Sequence, residues 1–456
     1  MPKNVRISEV GLRGVVGSGL SAEHVVDFAS AFGSFLGPGA VVVGRDPRAS
    51  SVMLREGVLA GLLACGREVI DLGLVSTPVL QHAIRRHSAA GGISIGASHN
   101  AAEWNALKFL GAAGTYLSTA EADELLDLYH LRRFAFVDWK NIGRLLAEED
   151  ALDLYLDDLA EAFDFPALTR YKILVDCANG TSSKILRRLN GRYGFRFVLI
   201  NERMGTFAHE PNTSASTVAL QLAPLVEPAG ADAGFLFDID SDRVAMATEK
   251  GEPISEEMML PLLADYLLPR SAGKMVITNL STTALVEEIA GRHGGTVIRV
   301  PVGRQAATDA LAMYRPDEIA VAGEGTGAVM MPRFRFVYDG IASMLAVLSM
   351  MHERCAKLSE ILAGYPRYSI LKGQIPLQPR RIPALFAELE RRYADGRANS
   401  TDGLRVDWPG EDGPVKWFHV RVSQTEPVVR VICEHRGGPP RVLFQELMDQ
   451  VRQYAS

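Results

Sequence analysis

The chain has 456 residues, with 48 Lys and Arg against 54 Asp and Glu and a formal net charge of −6. That weakly acidic balance excludes a general nucleic-acid binder, and no apolar run reaches the ~18 residues of a membrane span. The length fits roughly three or four domains. Met1-Pro2-Lys3-Asn4 has no apolar signal core, and Cys65, Cys177, Cys355 and Cys433 form no CxxC pair. A cytoplasmic protein with reduced thiols is expected.

Val10-Gly11-Leu12-Arg13-Gly14 sets two glycines around an arginine, a turn that presents a guanidinium to an anion. An apolar strand at 40–43 leads into Gly44-Arg45-Asp46-Pro47-Arg48-Ala49-Ser50-Ser51, with Ser50 the expected N-cap of a helix reaching residue 63. Strands at 68–72, 91–95 and 105–110 alternate with helices at 78–86 and 119–129, the latter capped by Ser118. Residues 133–141 read as an irregular linker. After a helix at 150–163 the alternation resumes, with strands at 172–175, 195–200 and 233–237. A third unit has helices at 256–268 and 283–293 and strands at 275–278, 297–300 and 319–322. Beyond Tyr365 the pattern changes to strands at 368–375, 404–407, 417–423 and 428–434 in hairpin spacing, flanked by helices at 383–393 and 441–454. The predicted fold class is α/β. Three successive α/β domains with mainly parallel mixed sheets span 1–145, 146–252 and 253–365, and a C-terminal α+β domain spans 366–456.

Four loops carry the chemistry. Gly96-Ala97-Ser98-His99-Asn100 follows a short buried strand, so Ser98 sits at a strand's carboxyl end, where open α/β sheets place ligands. Its hydroxyl needs help from a base or a metal, and His99, Asn105 and Lys108 are close in sequence. Asp238-Ile239-Asp240-Ser241-Asp242-Arg243 packs three carboxylates just past a buried strand, which is costly unless a cation sits among them; hard oxygen donors suit Mg²⁺. An EF-hand is rejected, because Arg243 stands where the loop needs glycine and both flanks read as strands. Gly323-Glu324-Gly325-Thr326-Gly327-Ala328 satisfies G-x-G-x-x-A, yet Pro332 blocks the helix that a dinucleotide site requires. It better suits sugar hydroxyls, with Glu324 and Thr326 as hydrogen-bonding groups. Arg421-Val422-Ser423-Gln424-Thr425-Glu426-Pro427, with Arg430 beyond it, puts two arginines and two hydroxyls around a turn as a phosphate cradle. The combination is far more specific than any one loop. Together, a nucleophile, a metal site, a sugar loop and a phosphate clamp describe phosphoryl transfer on a sugar phosphate.

Over nearly its whole length the chain resembles the α-D-phosphohexomutase family. TASHNP is similar to Gly96 through Ala101, DGDGDR to Asp238 through Arg243, GExSGH to Gly323 through Ala328, and RPSGTEP to Arg421 through Pro427. The resemblance implies a four-domain, heart-shaped fold around a central cleft and a phosphoserine at Ser98. It implies Mg²⁺ held by Asp238, Asp240, Asp242 and a phosphoserine oxygen, with Arg13, Arg243, His99 and Lys108 at the transferring group. It further implies substrate phosphate docked on Arg421, Ser423, Thr425 and Arg430, with sugar hydroxyls on Glu324 and Thr326. The implied partners are hexose phosphate and hexose bisphosphate, with no nucleic acid and no membrane; a homodimer is left open. Reorientation of the bisphosphate implies a hinge near 365–368. Within the family, Glu103 through Lys108 and Lys416-Trp417-Phe418-His419 are most similar to the branch acting on glucosamine phosphate. Branches acting on mannose and glucose phosphates, or a non-catalytic sugar-phosphate binder, are the alternatives. Ala328 departs from the family's histidine, and Ala101, Val422 and Gln424 replace other usual residues.

Overall fold

The first sheet is built from seven strands: β1 (Val5–Ser8), β2 (Gly11–Val15), β3 (Val41–Arg45), β4 (Val69–Leu74), β5 (Gly91–Ile95), β6 (Trp104–Gly111) and β7 (Leu145–Ala147). They lie in the order β1-β2-β6-β5-β3-β4-β7. The pairs β5·β3, β3·β4 and β4·β7 are parallel, and β1·β2, β2·β6 and β6·β5 antiparallel. All five residues of β5 are buried, as expected of an unbroken apolar run covered on both faces. The computed structural model describes residues 5–8, 11–332, 334–376, 379–410, 413–423 and 428–454.

Two helices of this region differ from the sequence expectation. The helix Ala49–Ala64 begins a residue before Ser50, with Arg48 at its cap and no side-chain cap bond. Ser50 is instead an acceptor, its Oγ 2.8 Å from Asn105 Nδ2. The helix Ala22–Phe35, absent from the sequence reading, starts with a capping box that uses His24 where Glu or Gln is the recognisable form. It buries Val25, Phe28 and Phe32 in the core beneath the sheet. The helix Thr119–His130 carries the expected Ser118 cap, which the structure extends to a capping box with Glu121.

The chain divides into two compact units, Met1–Met259 with Thr326–Glu360, and Leu260–Gly325 with Ile361–Ser456. The first unit holds a second, mixed sheet in the order Pro253–Ile254, Val244–Thr248, Ala233–Phe237, Lys172–Asp176, Arg196–Ile200. Ala233–Phe237 is buried throughout and forms a hairpin with Val244–Thr248, with Phe237 opposite Val244. Residues 238–243 are therefore a hairpin loop. The unit ends in the helix Gly340–Arg354, twelve of whose fifteen residues are buried. Such a helix has no polar stripe from which sequence periodicity is read.

In the second unit, Thr296–Val300 and Ile319–Gly323 flank Met275–Asn279 in parallel. Beyond them lies a five-stranded antiparallel sheet in the order Tyr368–Pro376, Val428–Arg436, Gly413–Val422, Leu404–Gly410, Arg397–Asn399. One face packs Phe418, Val420, Val429 and Val431 against Leu385 and Leu389 of the helix Ile382–Arg392 and Leu447 and Val451 of the helix Arg441–Gln453. Trp417, one residue off that register, is buried with Ala284 instead. Among the described residues, no helix is long and apolar enough to cross a membrane.

Candidate active site

Ser98 lies three residues past β5 in the left-handed region, φ 49°, and is 2% exposed. A non-glycine residue stays in that conformation only when its surroundings hold it there. Arg48 is the holding group. Its guanidinium donates to the carbonyls of Ser98 (2.9 Å), Asn100 (2.8 Å) and Ala101 (2.6 Å) and to Asp46 Oδ2 (2.8 Å). Asp46 in turn accepts from Ser51 Oγ (2.5 Å) and the Arg48 N–H (3.0 Å). Arg48 and Asp46 are buried at 1% and 2% exposure, and the Phe207 ring stacks 5.1 Å from the guanidinium. Burial pushes the Asp46 carboxyl above its ordinary value, against the pull of Arg48. Arg13 reaches the same loop through Asn100 Oδ1 at 2.8 Å.

Held in this way, Ser98 Oγ donates to Asp238 Oδ2 at 2.5 Å, a contact across 140 residues. Asp238, Asp240 and Asp242 are all buried, at 0%, 2% and 1% exposure. Burial, then repulsion from Asp242 and Asp240, holds the Asp238 carboxyl well above the usual carboxylate range. Lys108 Nζ meets Asp240 Oδ2. The register explains why: Lys108 pairs with Ser94 on β5 and with Gly11 on β2, beside the end of β5 from which the Ser98 loop leaves. A Cβ on Gly96 would fall 2.9 Å from Asp46 Oδ2 and 3.0 Å from Asp240 Oδ1, so only glycine lets the backbone pass between these carboxylates. Arg243 holds Asp238 Oδ1 through its N–H at 3.3 Å and lies 3.4 Å from Nδ1 of the exposed His99.

Thr326 belongs to the first unit, where its carbonyl accepts from Thr213 Oγ1 at 3.2 Å. Gly327 next to it has φ 79°, and a Cβ there would lie 2.4 Å from the Val244 carbonyl oxygen. The Asp loop's outgoing strand and the Thr326 loop thus touch backbone to backbone, with Val244 N–H donating to the Gly327 carbonyl at 3.2 Å. Ala328, where the family has histidine, is buried at 1% exposure.

In the second unit, Glu324 is 9% exposed at the end of Ile319–Gly323, and the next residue's N–H donates to Thr282 Oγ1 at 3.1 Å. Arg421 and Arg430 face each other as a cross-strand pair. Like charges placed opposite one another repel, an arrangement that an anion between them relieves. Arg421 Nε is aimed by Asp402 Oδ2 at 3.0 Å, and the same oxygen accepts from the Val302 N–H at 2.9 Å. Ser423 is buried and its N–H bonds the Val428 carbonyl at 2.9 Å. Thr425 lies outside the described residues. Near this hairpin, His419 bonds Ser281 Oγ (2.8 Å) and the Asp402 carbonyl (2.6 Å), and burial lowers its pKa to about 4, so it is neutral at pH 7. Tyr365 and Tyr368, at the expected hinge, bond Asp265 (2.6 Å) and Glu288 (3.1 Å) of their own unit.

The sequence singles out the Ser98 and Asp238 loops, gives Asp46 and Arg48 no task within the 44–51 stretch, and does not point to Asp402. The signal for the first two was present: two charges and a proline packed between a buried strand and a helix start. Their partners were not visible, since the loop Arg48 holds lies some fifty residues away.

Three family models cover this architecture: phosphoglucomutase/phosphomannomutase α/β/α domain I matches residues 6–135, domain II residues 153–251 and domain III residues 255–368. The chain belongs to the phosphoglucomutase/phosphomannomutase family, the α-D-phosphohexomutases, enzymes that transfer phosphoryl groups within a hexose phosphate. Among its relatives is a probable phosphoglucosamine mutase of Pyrococcus abyssi, 31% identical over 93% of this chain and 92% of the relative. A crystal structure of a phosphoglucomutase/phosphomannomutase family protein from Burkholderia thailandensis, 25% identical, superposes with a TM-score of 0.82 over 98% of this chain and 97% of that one. The N-acetylphosphoglucosamine mutase of Aspergillus fumigatus, solved with GlcNAc-6P and magnesium, shares the fold at 18% identity, with a TM-score of 0.58 over 91% of this chain and 83% of that one.

Proposed function

We propose that this chain interconverts hexose 6-phosphate and hexose 1-phosphate through a phosphorylated Ser98 and a hexose bisphosphate, with glucosamine phosphate as its substrate. The observation that carries the proposal is the Ser98 hydroxyl seated 2.5 Å from Asp238 in a loop with two further buried carboxylates. Each predicted domain, 1–145, 146–252, 253–365 and 366–456, carries one of the four loops. Similarity to a probable phosphoglucosamine mutase, together with the Glu103–Lys108 and Lys416–His419 stretches, favours the amino sugar.

The donor set fits Mg²⁺: all its atoms are oxygens, and the carboxylates repel one another in a buried loop. Among the described residues, no three His, Cys, Asp or Glu side chains already converge as a metal cage. Asp238, Asp240, Asp242 and a phosphoryl oxygen on Ser98 would hold the ion, which when bound offsets the ~1.5–2 negative charges of the phosphoryl group. Arg421, Ser423, Thr425 and Arg430 hold the substrate's own phosphate, and Glu324 and Thr326 hold its hydroxyls. The free sugar hydroxyl attacks the phosphorus. The bond from phosphorus to Ser98 Oγ breaks as the bond to the sugar oxygen forms, and the hydroxyl proton passes to Lys108 or His99. Arg13 and Arg243 add positive charge at the transferring group. The bisphosphate then turns and returns its other phosphoryl to Ser98. The reaction is placed in the cytoplasm.

The test is a mutase assay with Mg²⁺ and a bisphosphate primer across glucosamine, glucose and mannose 6-phosphates. Highest kcat/KM on glucosamine 6-phosphate is expected, and turnover of none of the three would refute the proposal. Arg421→Ala should raise KM about 10–100-fold with little change in kcat, the cost of charge-assisted bonds worth ~1.5–3 kcal/mol that are made alike in ground and transition states.

A further inference from the structure

Ser241, in the middle of the aspartate loop, is fully buried at φ 61°, the same left-handed region as Ser98. It too stays there only where its surroundings hold it. The Gly340 N–H, first of the helix Gly340–Arg354, donates to the Ser241 carbonyl at 3.0 Å. The Thr77 N–H, first of the helix Thr77–Arg86, donates to the Asp240 carbonyl at 3.2 Å. Thr181 Oγ1 lies 3.0 Å from Ser241 Oγ. A Cβ on Gly340 would fall 3.0 Å from the carbonyl oxygens of Ser241 and Arg243, so glycine lets the helix start this close. Both helices turn their positive ends toward a loop of three carboxylates.

Both are also tied to a third helix, Ala151–Ala162, through Tyr155 and Asp158, which its i, i+3 spacing sets on one face. Tyr155 is 0% exposed, and its hydroxyl is the donor 3.0 Å from each carboxylate oxygen of Asp339. Asp339 is the N-cap of Gly340–Arg354 and accepts from the Ala342 N–H at 2.9 Å. Asp158 Oδ2 accepts from Arg335 Nη2 (2.8 Å), just before that helix, and from His82 Nε2 (3.0 Å), within Thr77–Arg86. Burial, then the Arg335 charge, lowers the His82 pKa to about 4, so the ring is neutral at pH 7 and Nε2–H is the donor. The Arg335 guanidinium lies 5.1 Å from the centre of the Tyr155 ring. All these residues and the aspartate loop belong to the first unit.

From this bracing we infer that Tyr155 and Asp158 are positioning residues for the aspartate loop: by fixing the two helices whose first N–H groups hold the Asp240 and Ser241 carbonyls, they set the spacing of the three carboxylates for Mg²⁺. The inference rests on the Mg²⁺ reading of that loop. Mutual repulsion drives the three carboxylates apart when no cation lies among them. Backbone held at both helix starts resists that spreading, so less rearrangement is needed when the ion binds. Without the Tyr155 hydroxyl the buried Asp339 carboxylate loses a donor and turns toward those that remain, and the start of Gly340–Arg354 moves with it.

The experiment titrates Mg²⁺ calorimetrically into the full chain, with any phosphate on Ser98 removed by phosphatase and its absence checked by intact mass. Tyr155→Phe is expected to raise the Mg²⁺ Kd about 10-fold, the low end of the cost of losing a residue that orients a metal's ligands. Asp158→Ala should do likewise, and Asp158→Asn, which keeps an oxygen for His82 and Arg335, should recover part of the loss. The amides of Thr77 and Gly340 should exchange with deuterium faster in Tyr155→Phe than in wild type. Leu159→Ala separates positioning from loss of stability. It removes buried apolar volume from the same helix and no polar group, so it should lower the thermal midpoint at least as far and leave the Mg²⁺ Kd unchanged. A wild-type Kd in Tyr155→Phe and Asp158→Ala, or an equal rise in Leu159→Ala, overturns the inference and leaves the Mg²⁺ reading standing. A wild type that takes up no Mg²⁺ overturns both.

Discussion

Ser98→Ala is expected to reduce mutase turnover by more than about 10³-fold, because removing the group that carries the covalent intermediate removes the path rather than tuning it. The substitution should leave the chain folded. It deletes one hydroxyl and leaves Asp238 Oδ2 without that donor, on a carboxyl that burial and its neighbours already hold above the usual carboxylate range. The measurement pairs turnover with intact mass. Wild type should carry the mass of one phosphate that Ser98→Ala lacks, and the variant's thermal unfolding should stay close to wild type. Near-normal turnover in the variant, or a phosphate that persists on it, would remove Ser98 from the mechanism.

The second large effect is expected at Arg48. Arg48→Ala strips a buried carboxylate of its charged partner and removes the guanidinium donor from three carbonyls of the Ser98 loop, of which Ala101 keeps the Trp104 N–H. Breaking a buried pair from one side costs about 3–5 kcal/mol, and the loop loses the guanidinium that holds Ser98 at positive φ. The unfolding midpoint in urea should drop sharply, and phosphate on Ser98 should be lost in whatever folded protein remains. Arg48→Lys keeps the charge but not the fork, so it should recover stability more than turnover. A variant with wild-type stability and turnover would mean that the loop is shaped by its own sequence and not by the guanidinium.

These two positions mark the limit of what a linear reading reaches. Ser98 was legible because everything that marks it is local: an apolar run, then small residues, then a hydroxyl. The aspartate loop was legible for the same reason, with three carboxylates at alternate positions beyond a buried strand. The phosphate hairpin was read as two arginines near a turn, yet that Arg421 sits directly across from Arg430 is a matter of register, which composition does not specify. Arg48 was noticed and given no task, since its acceptors come from a loop about fifty residues on. The helix Gly340–Arg354 escaped notice because burial on nearly every side erases the periodicity that reveals surface helices.

By itself, then, the amino-acid order determined where the α/β alternation runs, where it gives way to hairpins, and which short loops carry the serine, the carboxylates and the cations. Only the tertiary structure decided that Ser98 meets Asp238, that Lys108 meets Asp240, and that a guanidinium from a third loop holds the Ser98 loop in place. It also decided that, among the described residues, β7 stands at the edge of the first sheet beside β4. The reason is range. Turn, cap and strand preferences act over a few residues, whereas strand order and register bring together side chains more than a hundred residues apart, and in this chain the chemistry lies in those pairings.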